Sequence, residues 1–170
     1  NHQYKPMKNA YAGHLKYSFQ LRPHTVADQA YIGAYQGIGV GYFNFGNPEE
    51  LGNPLAVYLF QGGRIAQFSP RISLNYEWNF GASFGWKPYD EYDNPENQII
   101  GSKVNAYLNV NLYLKWALSP KFDLMIGATG SHFSNGNTQY PNSGLNTVDC
   151  KVGLVYNFNR RADELAQSWQ

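Results

Sequence analysis

The sequence contains one cysteine, Cys150, so it has no internal disulfide and no CxxC metal or redox site. No apolar run approaches the ~18 residues of a membrane-spanning helix. Charged residues make up 15% of the chain, where ~25% is usual. They are 13 basic and 12 acidic, a net charge of +1 with no basic excess, which argues against a nucleic-acid partner. Helical periodicity is missing until the last dozen residues. The first ten residues are polar and form no signal-peptide core, so a mature chain or a fragment is expected. His14 and His24 have no metal-ligand partner at useful spacing, and no cofactor or resident metal is expected. Aromatic residues are plentiful, at 16% of 170 residues. That length and composition suit one ordered domain.

The ordering principle of the chain is alternation. Between Arg71 and Lys87, Ile72, Leu74, Tyr76, Trp78, Phe80, Ala82, Phe84 and Trp86 share one face, and Ser73, Asn75, Glu77, Asn79 and Ser83 share the other. Between Lys103 and Trp116 the apolar face runs Val104, Ala106, Leu108, Val110, Leu112, Leu114 and Trp116. Such runs are about twice the ~5–6 residues of ordinary strands. They reach the ~9–11 residues that cross a bilayer at a tilt.

Seven strands are predicted, at residues 10–22, 30–45, 55–67, 71–87, 101–118, 121–134 and 145–158. The many glycines of the second and third predict tight curvature or close packing. Residues 1–158 are expected to form an all-β, antiparallel transmembrane barrel of about eight strands, and 159–170 a polar tail, as a short helix or a linker. Ser69-Pro70 and Ser119-Pro120 mark short turns, whereas 46–54, 88–100 and 135–144 are long and rich in Asn, Pro and Gly. Bacterial outer-membrane barrels have short periplasmic turns, longer external loops and an even strand number. The long loops are therefore assigned to the outside. Seven strands then imply an eighth upstream of Asn1, unless 30–45 is two short strands. Alternation alone also fits a soluble barrel with the faces reversed. Strand length, scarce charge and Trp78, Trp86 and Trp116 on the apolar faces favour the membrane version, located in the bacterial outer membrane. Arg71, Glu77, Lys87, Lys103 and Lys115 are expected to pair with one another inside it, and His14 to face the lumen.

The segment with chemical content is Ser131-His132-Phe133-Ser134-Asn135-Gly136, followed by Pro141-Asn142-Ser143-Gly144-Leu145-Asn146. His132 and Ser134 continue the apolar face of Phe122, Leu124, Ile126 and Ala128, and Asn146 opens that of Val148, Cys150 and Val152. Three polar residues thus point toward lipid at the outer ends of two adjacent strands. Polar groups there are costly unless bonded or used. A serine needs a base to become a nucleophile, and the base needs an orienting partner. The competing reading is that these residues merely end the lipid-facing band at headgroup level. Asn135, Gly136 and Asn142 are placed to donate hydrogen bonds to an oxyanion; simple turn chemistry is their alternative role.

These residues resemble the active-site region of the lipid A 3-O-deacylase (acyloxyacyl hydrolase) family of outer-membrane barrels. The Asn-Pro-Glu-Glu-Leu-Gly-Asn-Pro and Trp-Lys-Pro-Tyr-Asp stretches look like a Bacteroidota-type version. The resemblance implies an eight-stranded barrel, Ser134 as nucleophile and His132 as general base. It further implies hydrolysis of an ester-linked acyl chain of lipopolysaccharide. The family's third residue is typically glutamate, and Asn146 stands at the matching position. Asparagine can orient imidazole but gives an imidazolium no charge support. The alternative reading is an impaired barrel serving as a structural or assembly subunit of an outer-membrane complex, with protein partners. Asp90, Glu91, Asp93 and Glu96 crowd one long loop, either to bind divalent cations or simply as solvated charge.

Overall fold

The computed structural model describes residues 11–20, 34–46, 51–87, 90–94, 103–134 and 145–158. Seven strands follow in chain order: β1 (Tyr11–Gln20), β2 (Tyr35–Asn44), β3 (Gly52–Gln67), β4 (Ile72–Trp86), β5 (Val104–Ala117), β6 (Phe122–Ser134) and β7 (Leu145–Tyr156). All pair antiparallel with their chain neighbours in one sheet, ordered β1 to β7. The sheet is a curled half-barrel, open between β1 and β7 among the described residues. In the stretch suspected of being two strands, 30–45, the described residues hold one strand, β2. The expected tail, 159–170, lies outside the described residues.

Strand periodicity sorts the side chains. Ser73, Asn75, Glu77, Asn79 and Ser83 of β4, and Asn105, Tyr107, Asn109, Asn111 and Tyr113 of β5, are buried on the concave side. Trp78, Phe80, Val110, Leu112 and Trp116 are exposed on the convex side. The polar face is thus inside and the apolar face outside, the reverse of a soluble barrel. The two short turns share one chemistry. Ser69 Oγ accepts from the N–H of Arg71 and Ile72, at 3.3 and 3.1 Å. Ser119 Oγ does the same for Lys121 and Phe122, at 3.3 and 3.1 Å. Residues 21–33, between β1 and β2, lie outside the described residues.

Trp86 corrects one expectation. It was assigned to the apolar outer face, yet it is 4% exposed and points inward. Gly85 is the cause. Its φ of +87° breaks the pleat, so the residue after it returns to the concave side. The register of β3 against β4 shifts at the same level, between Gly52 and Leu55.

The lumen is filled from two kinds of material. Near the long loops lies an aromatic cluster that includes Phe43, Phe45, Tyr58, Phe60, Trp86, Tyr107 and Phe133. Below it lies a polar network around Glu77, which is 2% exposed. Glu77 Oε2 takes Lys16 of β1 in a short ion pair and Lys151 of β7 at 3.8 Å. Its other oxygen accepts from Tyr35 Oη at 3.0 Å, and that hydroxyl touches Tyr113 Oη at 2.5 Å. This differs from the pairing expected among Arg71, Glu77, Lys87, Lys103 and Lys115. Lys115 lies 4.0 Å from Asp123, and Arg71 Nη1 donates to the Leu118 carbonyl at 3.3 Å. Curling brings β1 and β7 opposite the middle of β4, while Lys115 sits four residues, or roughly 13 Å, along the neighbouring strand from Asn111, the residue beside Glu77. His14 faces the lumen as expected, with Nδ1 2.7 Å from Tyr58 Oη.

The lumenal glycines of β2 make room for these rings. A Cβ on Gly39 would lie 2.5 Å from Cε2 of Tyr58. Gly39→Ala is therefore expected to lower barrel stability by about 1–3 kcal/mol through overpacking. Gly13→Ala, where a Cβ meets nothing within 4 Å, is expected to be nearly neutral. Urea midpoints of the two variants in liposomes give the comparison; equal midpoints would refute the packing account.

Candidate active site

β6 and β7 carry the site because their register sets His132 directly opposite Asn146. Directly opposed residues have Cβ atoms ~4.5–5.5 Å apart, close enough for side chains to meet. They do meet: His132 Nδ1 is 2.6 Å from Asn146 Oδ1. The amide oxygen can only accept, so the ring nitrogen facing it carries the proton. That leaves Nε2 with its lone pair, the form a general base requires.

Ser134 lies two residues beyond His132 on β6 and on the same convex face. Residues two apart on a strand are ~6.5–7 Å apart along it. Ser134 is also the diagonal neighbour of Asn146, a relation worth roughly 7–8 Å. Both His132 and Ser134 are half-buried, and Asn146 is exposed. On the other side Leu108 of β5 pairs with His132 and Ala106 pairs with Ser134. The wall below is apolar. Gly130 stands between Val110 and Val148, and Ala128 between Leu112 and Cys150.

Parity eliminates the nearest alternatives. Ser131 points into the lumen, where its Oγ accepts from Asn109 Nδ2 at 2.8 Å. Asp149 shares the inner face of β7 with Lys151, which reaches Glu77. It is thus on the face opposite His132, as expected. The expected oxyanion donors Asn135, Gly136 and Asn142 lie outside the described residues. In the acidic loop, Asp90 Oδ1 accepts from the N–H of Tyr92 and Asp93, at 2.8 and 2.9 Å. These bonds, that from Asp93 first, hold the Asp90 carboxyl below its usual range. Glu96 of the same loop lies outside the described residues. Among the described residues no group of three or more His, Cys, Asp or Glu is arranged to hold a metal ion.

Sequence reasoning passed over what lies behind the site. Phe133, between His132 and Ser134, is fully buried in the aromatic cluster. Its partner across β7 is Leu145, buried beside Asn146. The available signal was an aromatic residue ending an inner face that otherwise holds Asp123, Met125, Gly127, Thr129 and Ser131.

The chain thus forms an antiparallel half-barrel with a largely polar inner face, and the convex His132–Asn146 pair lies at its long-loop end. Neither the curated proteins nor the solved structures contain a match to this chain. The family model that does match is "Lipid A 3-O-deacylase (PagL)", over residues 2–155. The chain belongs to the lipid A 3-O-deacylase (PagL) family, hydrolases of lipid A in the bacterial outer membrane, where it resides as a β-barrel.

Proposed function

We propose that this protein removes an ester-linked acyl chain from lipid A by a serine–histidine mechanism on the outer wall of the barrel. The observation that carries the reading is the 2.6 Å contact from His132 Nδ1 to Asn146 Oδ1, with Ser134 on the same face. His132 Nε2 takes the proton of Ser134 Oγ as that oxygen attacks the ester carbonyl. The tetrahedral intermediate collapses, and the departing sugar oxygen takes the proton back from Nε2. A water, deprotonated by the same nitrogen, then attacks the acyl-serine ester; the acyl–oxygen bond breaks, the fatty acid leaves, and Nε2 returns the proton to Ser134 Oγ. Asn135, Gly136 and Asn142 are proposed as donors to the oxyanion.

The long-loop end faces outward in this reading, because external loops are the longer ones in such barrels. The site then meets the outer leaflet, where lipopolysaccharide presents its sugar at headgroup level and its chains along the wall. The exposed Val110 and Val148 flanking Gly130 suit a chain lying below the reacting ester.

Asn146 positions the imidazole without charge. Asn146→Glu is expected to raise deacylation by about 10-fold or more, since ~1.4 kcal/mol of added support for the imidazolium is a factor of ten. Asn146→Ala is expected to lower it. The experiment is incubation of the folded barrel with lipopolysaccharide, followed by mass spectrometry of lipid A. Loss of one ester-linked acyl chain supports the reading. Inert wild type and inert Asn146→Glu, on several lipopolysaccharides and with folding verified by heat-modifiable gel mobility, would defeat it.

A further inference from the structure

We infer that Phe133 is a positioning residue for the site: it holds the end of β6 so that His132 meets Asn146 and Ser134 stands beside them. This rests on the serine–histidine reading above. Phe133 is the one residue bonded through the backbone to both His132 and Ser134. Strand geometry sends its side chain inward while theirs point outward, so movement of its Cα moves both.

The ring is clamped. Its centroid lies 5.2 Å from Phe43, 5.6 Å from Phe45, 5.0 Å from Trp86 and 5.1 Å from Tyr107. Three of the four contacts are edge-on, with interplanar angles of 83°, 80° and 69°. Edge-to-face packing fixes ring orientation as well as depth. Phe45 and Trp86 are themselves stacked, 5.5 Å apart at 13°. The clamp gathers side chains from β2, β4 and β5 and the residue following β2, all against a strand that terminates at Ser134. A strand end otherwise has the weakest local hold on its side chains. The inner pair Phe133–Leu145 is adjacent in register to the outer pair His132–Asn146, so the clamp bears on both strands of the site.

The test is a set of three lumenal variants assayed on lipopolysaccharide. Phe133→Ala is expected to lower kcat on the order of 100-fold with KM nearly unchanged, the scale of a small misplacement of reacting groups. Phe133→Leu is expected to recover most of that loss. Phe60→Ala removes another buried ring of the cluster, on β3 and away from β6. It is expected to lower the urea midpoint comparably while leaving kcat within about threefold. A second readout does not need turnover. The downfield Nδ1–H resonance of His132, assigned by its loss in His132→Gln, is expected to broaden or vanish in Phe133→Ala and to persist in Phe60→Ala. Should Phe133→Ala fail to fold, Phe133→Leu is read alone against wild type, with a several-fold lower kcat and a weakened resonance expected. Equal kcat losses in Phe133→Ala and Phe60→Ala, or an unchanged kcat and resonance in the folded Phe133 variants, would overturn the inference. If Ser134→Ala keeps its activity, the serine mechanism fails, yet the resonance still reports whether Phe133 positions His132.

Discussion

Ser134→Ala is expected to abolish lipid A deacylation, with a rate loss on the order of 10⁴-fold or more. His132→Ala is expected to match it, and the double variant to be no worse than either single one. Groups that act as a unit fail together, because a base without its nucleophile has no proton to take. No neighbouring serine can substitute on β6. Ser131 is turned inward and bonded to Asn109, and a strand cannot rotate one side chain to the opposite face without moving its register. The measurement is single-turnover release of fatty acid from lipopolysaccharide by equal amounts of folded barrel. A Ser134→Ala protein retaining more than a few per cent of the wild-type rate would remove the serine from the mechanism.

Glu77→Gln is expected to destabilise the barrel by about 3–5 kcal/mol. The substitution keeps the shape and removes the charge that Lys16 and Lys151 both face. Breaking a buried ion pair from one side leaves the other charge without compensation, the costly direction. Here two ammonium groups are left, on the two edge strands of the sheet. Tyr35 also exchanges a carboxylate acceptor for a weaker amide oxygen. Lys16→Met and Lys151→Met, added together to Glu77→Gln, are expected to restore much of the loss, because apolar replacement of a whole buried cluster is often neutral. Urea unfolding in liposomes reads all of these. A Glu77→Gln midpoint equal to wild type would show that the lumenal charges are compensated elsewhere.

Much of this molecule is legible in its sequence because a membrane barrel obeys a rule of period two. Alternation from Ile72 to Phe84 and from Val104 to Trp116 located strands and faces within a few residues, and His132, Ser134 and Asn146 were placed on one face by parity alone. Parity fails where the backbone leaves the pleat, as at Gly85, and Trp86 was misassigned for that reason. The partners of Glu77 were illegible for a different reason. Which strands face one another across a curled sheet depends on curvature and stagger, and neither is encoded in any one strand. The clamp around Phe133 lies between these cases. Aromatics on a polar inner face are visible in sequence, but their meeting at one level requires the register of β2, β4, β5 and β6 together.

That register has a consequence for the life of the protein in the membrane. A slip of β7 by one residue against β6 would present Leu145 to the lipid and turn Asn146 into the lumen. His132 would then lose its orienting amide, and Phe133 would face a polar side chain. On the proposed mechanism a barrel assembled one step out is therefore silent as a hydrolase, even while it still sits in the bilayer. Activity on lipopolysaccharide would then report the β6–β7 register of the assembled copies.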